Sequence, residues 1–122
     1  MVRYYTPDLA NKSLPLVARI AADIQRVAQA IKAAFQQLQA HDGDGQVLTH
    51  RIEAMRDEFE GLNGELAQLD VELKDPLTGL LDFRALRAGK EVYLCWRLGE
   101  DVVGHWHPMD SGFAGRAPMS DF

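Results

Sequence analysis

The sequence predicts an α+β protein: an antiparallel hairpin of two long helices with coiled-coil-like spacing, followed by a small C-terminal antiparallel β-sheet. The helices are predicted by apolar residues that recur at spacings of three and four through two successive segments, the second ending at Leu69. The sheet is predicted by the alternating pattern beyond that residue, where short apolar runs are separated by turns. We expect a single domain, with the hairpin over residues 1–70, the sheet over 71–108 and a glycine-rich tail over 109–122.

The first helix has a clear start and an expected interruption. Val2–Tyr5 is short, β-branched and aromatic, which favours an extended segment. Thr6-Pro7-Asp8 is a helix-start signal, because it offers a hydroxyl N-cap, a proline for the first helical position and a carboxylate near the positive helix end. Pro15 follows closely, and the residue before a proline disfavours helical dihedrals, so this first helix is expected to be short. Ser13 would then cap a second helix that carries Pro15 in its first turn.

Two apolar seams follow and predict the helical hairpin. The first seam consists of Val17, Ala21, Ile24, Ala28, Ile31, Phe35 and Leu38. The second seam consists of Leu48, Ile52, Met55, Phe59, Leu62, Leu66 and Leu69. A polar turn over residues 41–45 joins the two, which indicates antiparallel neighbours. Because two seams of this length exceed what one small sheet can cover, we expect a homodimer, arranged as four helices.

Four short strands are predicted after the hairpin: Val71–Lys74, Leu80–Phe83, Glu91–Leu98 and Val102–His107. The last two form a hairpin whose register depends on the loop length. A three-residue loop over residues 99–101 gives one coherent apolar face, made of Val92, Leu94, Trp96, Leu98, Val102 and Trp106. The opposite face then holds Tyr93, Cys95, Arg97, Val103, His105 and His107. A two-residue loop would mix the histidines with the aliphatic residues. We therefore favour the register that places Cys95 opposite His105 and Tyr93 opposite His107.

Charge and cysteine content narrow the possible partners and compartment. The net charge of −5 is spread along the chain, which argues against nucleic acid as a partner. The single cysteine cannot form an internal disulfide, so nothing indicates an oxidising compartment. The N-terminal segment lacks the apolar core of a signal peptide, and no stretch approaches a membrane span in length. We expect a cytoplasmic protein that binds neither nucleic acid nor membrane.

Two histidines near the C-terminus suggest a metal site. His105 and His107 lie two residues apart on one strand face and could bind the same ion. Cys95, Asp110 or Glu100 could supply a further ligand, and such nitrogen and sulfur donors suit a transition metal. The sequence therefore predicts a transition-metal site made of His105, His107, Cys95 and Asp110. The alternative is that both histidines hydrogen-bond carbonyls or carboxylates without any metal.

The arginines of the same region suggest an anion site instead. Glycines within residues 112–116 expose backbone N–H groups, and the guanidinium groups of Arg97 and Arg116 could grip a carboxylate or phosphate. Tyr93 and Glu100 complete this predicted ligand-binding set. The alternative is a structural role for Arg116, paired with one of the acidic residues nearby: Asp82, Glu100 or Asp110.

Nucleophilic catalysis is the least favoured function. Cys95 opposite His105 could form a thiolate–imidazole pair. The usual fate of a lone cysteine, however, is that of a small buried hydrophobe. The sequence shows no evident oxyanion-stabilising group, so no catalytic residue is assigned.

The chain resembles the prokaryotic family known as domain of unknown function 2203. The resemblance lies in Tyr5-Thr6, Ala10-Asn11, Leu14-Pro15, Lys74-Asp75-Pro76, Gly79-Leu80, Asp82-Phe83, Tyr93-Leu94-Cys95-Trp96, Gly99-Glu100, Trp106-His107, Gly112-Phe113 and Gly115-Arg116. It implies a small free-standing protein and brings no activity, cofactor or catalytic residue with it.

From these observations we expect a non-catalytic binding protein, whose polar pocket on the C-terminal sheet takes a metal ion or a small anion. The alternative is a structural or protein-interaction module that dimerises through its helices and has no small-molecule ligand.

Overall fold

A computed structural model describes residues 3–122, in which a helical hairpin packs on one face of a five-stranded antiparallel sheet. The helices are α1 (Pro7–Gln39) and α2 (Gly45–Gln68). The strands are β1 (Val71–Asp75), β2 (Leu80–Arg87), β3 (Lys90–Arg97), β4 (His105–Pro108) and β5 (Ala117–Pro118). Short 3₁₀ turns occupy Phe113–Gly115 and Met119–Asp121. The predicted fold class is confirmed.

The start of α1 is as predicted, but the predicted interruption is wrong. The Thr6 hydroxyl accepts a hydrogen bond from the Leu9 N–H as the N-cap, and the helix then runs through Pro15 without a break. Ser13 caps nothing; its hydroxyl donates to the Ala10 carbonyl within the helix. Pro15 lies on the exposed side of α1. On the buried side, Ala10 and neighbouring residues fill the core, and this packing offsets the local cost of the proline.

The predicted extended segment before α1 is described only in part. Val2 lies outside the described residues. Tyr5 makes a parallel bridge to Ala85, and its N–H donates to the Arg84 carbonyl at 2.7 Å. Its hydroxyl donates to the Leu69 carbonyl at 2.6 Å, so the segment fastens the end of α2 to the sheet.

The hairpin divides into a base on the sheet and a distal arm. At the base, α1 residues up to Ile24 and α2 residues from Phe59 join the main core with the sheet. The arm beyond them has a small core of its own, made of Ala34, Leu48 and Ile52, with Phe35, Leu38 and Met55 packed around it. Neither helix within residues 3–122 carries an apolar stretch long enough to cross a bilayer.

The strands form a meander, in the order β1-β2-β3-β4-β5. The predicted register between β3 and β4 is confirmed, since Cys95 pairs with His105 and Tyr93 with His107. The predicted extent of the last strand is wrong at its start, because β4 begins at His105. The tail, which was predicted to be irregular, adds β5 along the far edge of β4.

The late start of β4 reverses two predicted side-chain positions. Val102 is 57% exposed, although it was predicted to face the core. Val103 is buried instead, and its N–H donates to the Asn11 side chain of α1 at 2.7 Å. This contact ties the segment before β4 to α1, where Val103 joins the main core.

Candidate metal centre

Three side chains of metal-ligand type meet on the sheet face that points away from the helices. Asp82 on β2 pairs directly with Cys95 on β3, and His107 on β4 pairs with the adjacent position Tyr93. One ligand atom from each of Asp82, Cys95 and His107 lies within 4.8 Å of the other two. Three consecutive strands therefore build the cluster through side chains of the same alternating face.

The cluster is buried although it lies on the outer face of the sheet. Asp82, Cys95 and His107 are only 2%, 1% and 2% exposed. The tail covers them as it crosses back from β4 to β5, and it leaves a cavity of about 210 Å³ above the cluster. The cavity is lined by the three clustered residues and by Lys74, Leu80, Tyr93, Met109, Ser111, Gly112 and Phe113.

His107 and Asp82 share a proton. His107 Nδ1 lies 2.8 Å from the Pro108 carbonyl oxygen, which can only accept, so Nδ1 carries a hydrogen. Nε2 lies 3.0 Å from Asp82 Oδ2. The hydrogen between these two atoms belongs either to an imidazolium beside a carboxylate or to a carboxylic acid beside a neutral imidazole. In either state, Nε2 is the ring atom directed at the cluster.

The carboxyl group of Asp82 has fewer hydrogen-bond partners than it can accept. Burial raises the pKa of its carboxyl above the ordinary value, and the electrostatic interaction and hydrogen bond with His107 offset this only in part. The Cys95 thiol is a further, weak donor to this carboxyl group. The second oxygen, Oδ1, is buried and accepts no hydrogen bond of normal geometry from the described residues. A buried carboxylate oxygen with so few donors costs free energy in a folded protein.

Cys95 is poorly suited to act as a nucleophile. Burial, with the nearby negative charge of Asp82, raises the pKa of its thiol to about 12. The histidine that was predicted to activate it is engaged elsewhere, since His105 Nδ1 lies 2.9 Å from Arg116 Nη2. The cluster without metal therefore holds a thiol and not a thiolate at neutral pH.

Arg116 fastens the tail beside the cluster. Its guanidinium donates to both carboxylate oxygens of Glu100 at 3.0 Å and to the Cys95 carbonyl at 3.4 Å. It also lies 4.6 Å from the ring centre of Phe113, and Arg97 lies 5.0 Å from the same ring. Burial favours a higher pKa for Glu100, but hydrogen bonds from Arg116 and the Arg97 N–H outweigh it and lower the pKa. The guanidinium of Arg116 is thus already paired with a carboxylate of the chain.

Glu72 organises a second polar group on the same face. Tyr93 donates its hydroxyl to the Glu72 carboxylate at 3.0 Å, Arg84 Nε donates at 2.9 Å and Lys74 at 3.1 Å. Burial favours a higher pKa for Glu72, but these three donors outweigh it and lower the pKa. Lys74 also lies 4.6 Å from the ring centre of Tyr93, at the side of the cavity.

The structure brings together only part of the predicted metal set. Cys95 and His107 lie in the cluster. His105 is engaged with Arg116, and Asp110 is exposed in the turn after β4. Among the predicted anion ligands, Glu100 and Arg116 pair with each other, while Arg97 is exposed and Tyr93 lines the cavity.

Asp82 was missed as a candidate ligand. Its signal in the sequence is a single acidic residue inside the apolar run Leu80–Phe83. Its place beside Cys95 depends on the pairing of β2 with β3 through the two-residue turn Ala88-Gly89, in which both residues have positive φ. Alanine is not a typical residue for that turn, so the sequence did not indicate this register.

Comparisons with known proteins give the family and no function. No curated protein and no solved structure is detectably similar to the chain. Residues 3–119 match the model of a family described as an uncharacterized conserved protein, DUF2203. Because this match spans the helical hairpin, the sheet and nearly all of the tail, the chain belongs to the DUF2203 family.

Proposed function

We propose that this protein binds a transition-metal ion through Asp82, Cys95 and His107. The observation that carries the proposal is the cluster itself: a carboxylate, a thiol and an imidazole lie within 4.8 Å of one another, buried and facing one cavity. Imidazole nitrogen and thiolate sulfur favour Zn²⁺ and its close chemical relatives, and a carboxylate is a common third ligand.

The orientation of His107 supports the proposal. A histidine that binds a metal through one ring nitrogen usually donates the other N–H to a carbonyl or carboxylate, which fixes the ring. His107 Nδ1 has this arrangement with the Pro108 carbonyl, and Nε2 is left to face the cluster. A metal ion would take the place of the shared proton and would give Asp82 a partner for its unsatisfied oxygen.

The free-energy cost of burying these three polar side chains also favours a ligand-binding role for the cluster over a purely structural one. Burying a carboxylate, a thiol and an imidazole together is a poor way to stabilise a sheet, because apolar residues of similar size do so at lower cost. The helix-facing side of the same strands is built in that apolar way, with Leu81, Leu94 and Trp96.

The test is a metal titration of chelator-treated protein. Wild type is expected to bind one Zn²⁺ per chain, which is measured by competition with a chromophoric chelator and by elemental analysis of untagged protein. His107→Gln and Cys95→Ser are expected to weaken binding at least about a hundredfold, since each removes a ligand. His105→Gln and Asp110→Asn are matched controls from the same segment and are expected to keep wild-type affinity.

Two outcomes would contradict the proposal. One is folded wild-type protein that binds no Zn²⁺ and whose melting temperature is the same with metal and with chelator. The other is loss of binding in the His105 and Asp110 variants with retention in the His107 variant, which would favour the set predicted from the sequence.

Homodimerisation through the helices is a second candidate, favoured by an open apolar groove of about 310 Å³. Ala28, Ile31, Phe35, Phe59, Pro76 and Leu77 line this groove. Basic residues Lys32 and Arg56 flank it, whereas the exposed face of α2 carries acidic residues such as Glu53 and Asp57, so a second copy offers complementary charge.

Sedimentation analysis is expected to give a dimer for wild type and a monomer for Ile31→Glu with unchanged helicity. A wild-type monomer at high concentration would contradict this.

A further inference from the structure

The cluster supplies three protein ligands and leaves one side open. Among residues 3–122, no fourth histidine, cysteine, aspartate or glutamate side chain joins Asp82, Cys95 and His107 within ligand distance. Structural zinc sites are closed by four protein ligands, whereas sites with three keep a position for water or another small ligand. The three residues also line the cavity, so the open position of a bound ion would face that space.

We propose that this cavity binds a small organic carboxylate, whose head group occupies the open position on the metal and contacts Lys74. This inference rests on the proposed metal site. The cavity of about 210 Å³ corresponds to roughly seven water molecules of liquid volume, which suits a carboxylate with a short hydrocarbon chain.

Charge favours an anion at this position. An Asp82 carboxylate and a Cys95 thiolate together would neutralise a divalent ion. Around them, the Glu72 carboxylate is shared by Lys74 and Arg84, and Arg84 also lies near the negative charge of Glu91. The positive charge that reaches the cavity is therefore that of Lys74. Lys74 is the one basic side chain among those that line the cavity within the described part of the chain. Its ammonium group has three donors, and the hydrogen bond to Glu72 uses one of them.

The remaining walls favour a hydrocarbon tail. Leu80 on β2 and Met109 and Phe113 on the tail line the cavity with apolar surface. The guanidinium groups of Arg97 and Arg116 both contact the Phe113 ring, which places this ring at the cavity wall. A ligand with an anionic head and a short apolar chain therefore matches both halves of the cavity, whereas phosphate or sulfate would leave the apolar half unfilled.

The experiment uses Co²⁺ in place of zinc, because its visible absorption reports the coordination of the ion. Butyrate is titrated into the Co²⁺-loaded full chain, with butanol as the uncharged comparison. We expect a saturable change of the Co²⁺ spectrum with butyrate and none with butanol. Lys74→Met is expected to weaken butyrate binding about tenfold with unchanged Co²⁺ affinity, and Lys12→Met on α1 is the matched control that changes neither.

The outcomes separate this inference from the metal proposal. If Co²⁺ binds with a thiolate charge-transfer band but butyrate leaves its spectrum unchanged, the carboxylate site is refuted and the metal site stands. If butyrate binds equally well to wild type and Lys74→Met, the assigned orientation of the head group is overturned. If Co²⁺ does not bind at all, the metal proposal fails and this inference fails with it.

Discussion

The two faces of the sheet are buried by different means and with different chemistry. The face toward the helices is covered by a hairpin of 33- and 24-residue helices and consists of aliphatic and aromatic side chains. The opposite face is covered by a short tail with little regular structure, yet Asp82, Cys95 and His107 are buried there as completely as Trp96 on the first face. Because side chains alternate along each strand, the same strands supply both faces through alternate residues.

The difference separates burial that stabilises the fold from burial that we propose serves a ligand. Apolar burial stabilises the protein in proportion to the area removed from water. Polar burial on the outer face leaves an unsatisfied oxygen on Asp82 and a thiol whose pKa is raised to about 12. Substitutions on the helix-facing side should therefore change stability, and substitutions on the outer face should change ligand binding.

The largest loss of stability is expected on the helix-facing side. Phe83 is fully buried and packs edge-to-face on Tyr5, with ring centres 5.0 Å apart. Phe83→Ala should lower the free energy of unfolding by about 3–5 kcal/mol, because it leaves a cavity in the core. Urea unfolding measures this. Leu86→Ala, at an exposed position of the same strand, should change it by less than about 0.5 kcal/mol. Equal losses of stability in both variants would contradict the assignment of Phe83 to the stabilising core.

The next effect concerns the reactivity of Cys95 in metal-free protein. A thiol pKa of about 12 leaves very little thiolate at pH 8, so native protein should react with iodoacetamide at least about a thousandfold more slowly than unfolded protein. Mass spectrometry of timed samples measures the rate, and Cys95→Ser gives the background. Rapid labelling of the native chain would show that the outer face is open to solvent.

Substitution of Asp82 should lower metal affinity while leaving the stability of the metal-free protein nearly unchanged. Asp82→Asn preserves shape, and the asparagine amide can still donate to His107 Nε2, so the free energy of unfolding without metal should stay within about 1 kcal/mol of wild type. Zn²⁺ affinity should fall at least about a hundredfold, because a ligand is lost. Metal titration and urea unfolding of the same preparation measure both quantities. A variant that unfolds easily but binds zinc normally would reverse our assignment.

The smallest effect is a change in pH dependence at Glu100. Hydrogen bonds lower its folded pKa, so its stabilising contribution is complete above the unfolded value of about 4.3 and is lost as pH falls through the folded pKa. Asp82 has a raised pKa and contributes with the opposite sign, equally in both proteins. Below about pH 4.3, Glu100→Gln should therefore lose stability less steeply with falling pH than wild type does. Thermal melting at a series of pH values measures this. Parallel curves would show that the Arg116 pair contributes little.

The sequence predicted the fold well where the pattern is periodic. Heptad spacing indicated both helices, and the choice of one coherent apolar face gave the correct pairing of Cys95 with His105. It failed at Pro15, where a local preference was overridden by core packing along the same helix. It also failed for the tail, because a glycine-rich segment has no periodicity from which β5 or the 3₁₀ turns could be inferred.

The residues of the candidate cluster were identified from the sequence only in part, for a related reason. His107 and Cys95 were identified because they share a face of the predicted hairpin. Asp82 was not, because its position depends on a second hairpin with an untypical turn. The engagement of His105 with Arg116 could not be inferred either, since it requires the return path of the tail.

The meander has a consequence for how the protein is made. Every strand pairs with the strand next to it in the chain, so most of the sheet forms from local contacts, which favours fast folding. During synthesis the helices leave the ribosome before any strand, and the residues of the cluster follow in the last third of the chain. Asp82, Cys95 and His107 should therefore come together late, and Arg116 should close the tail over them later still. Newly made chains would then pass through a brief stage in which the helices are complete and the cluster is still open to whatever the surrounding solution holds.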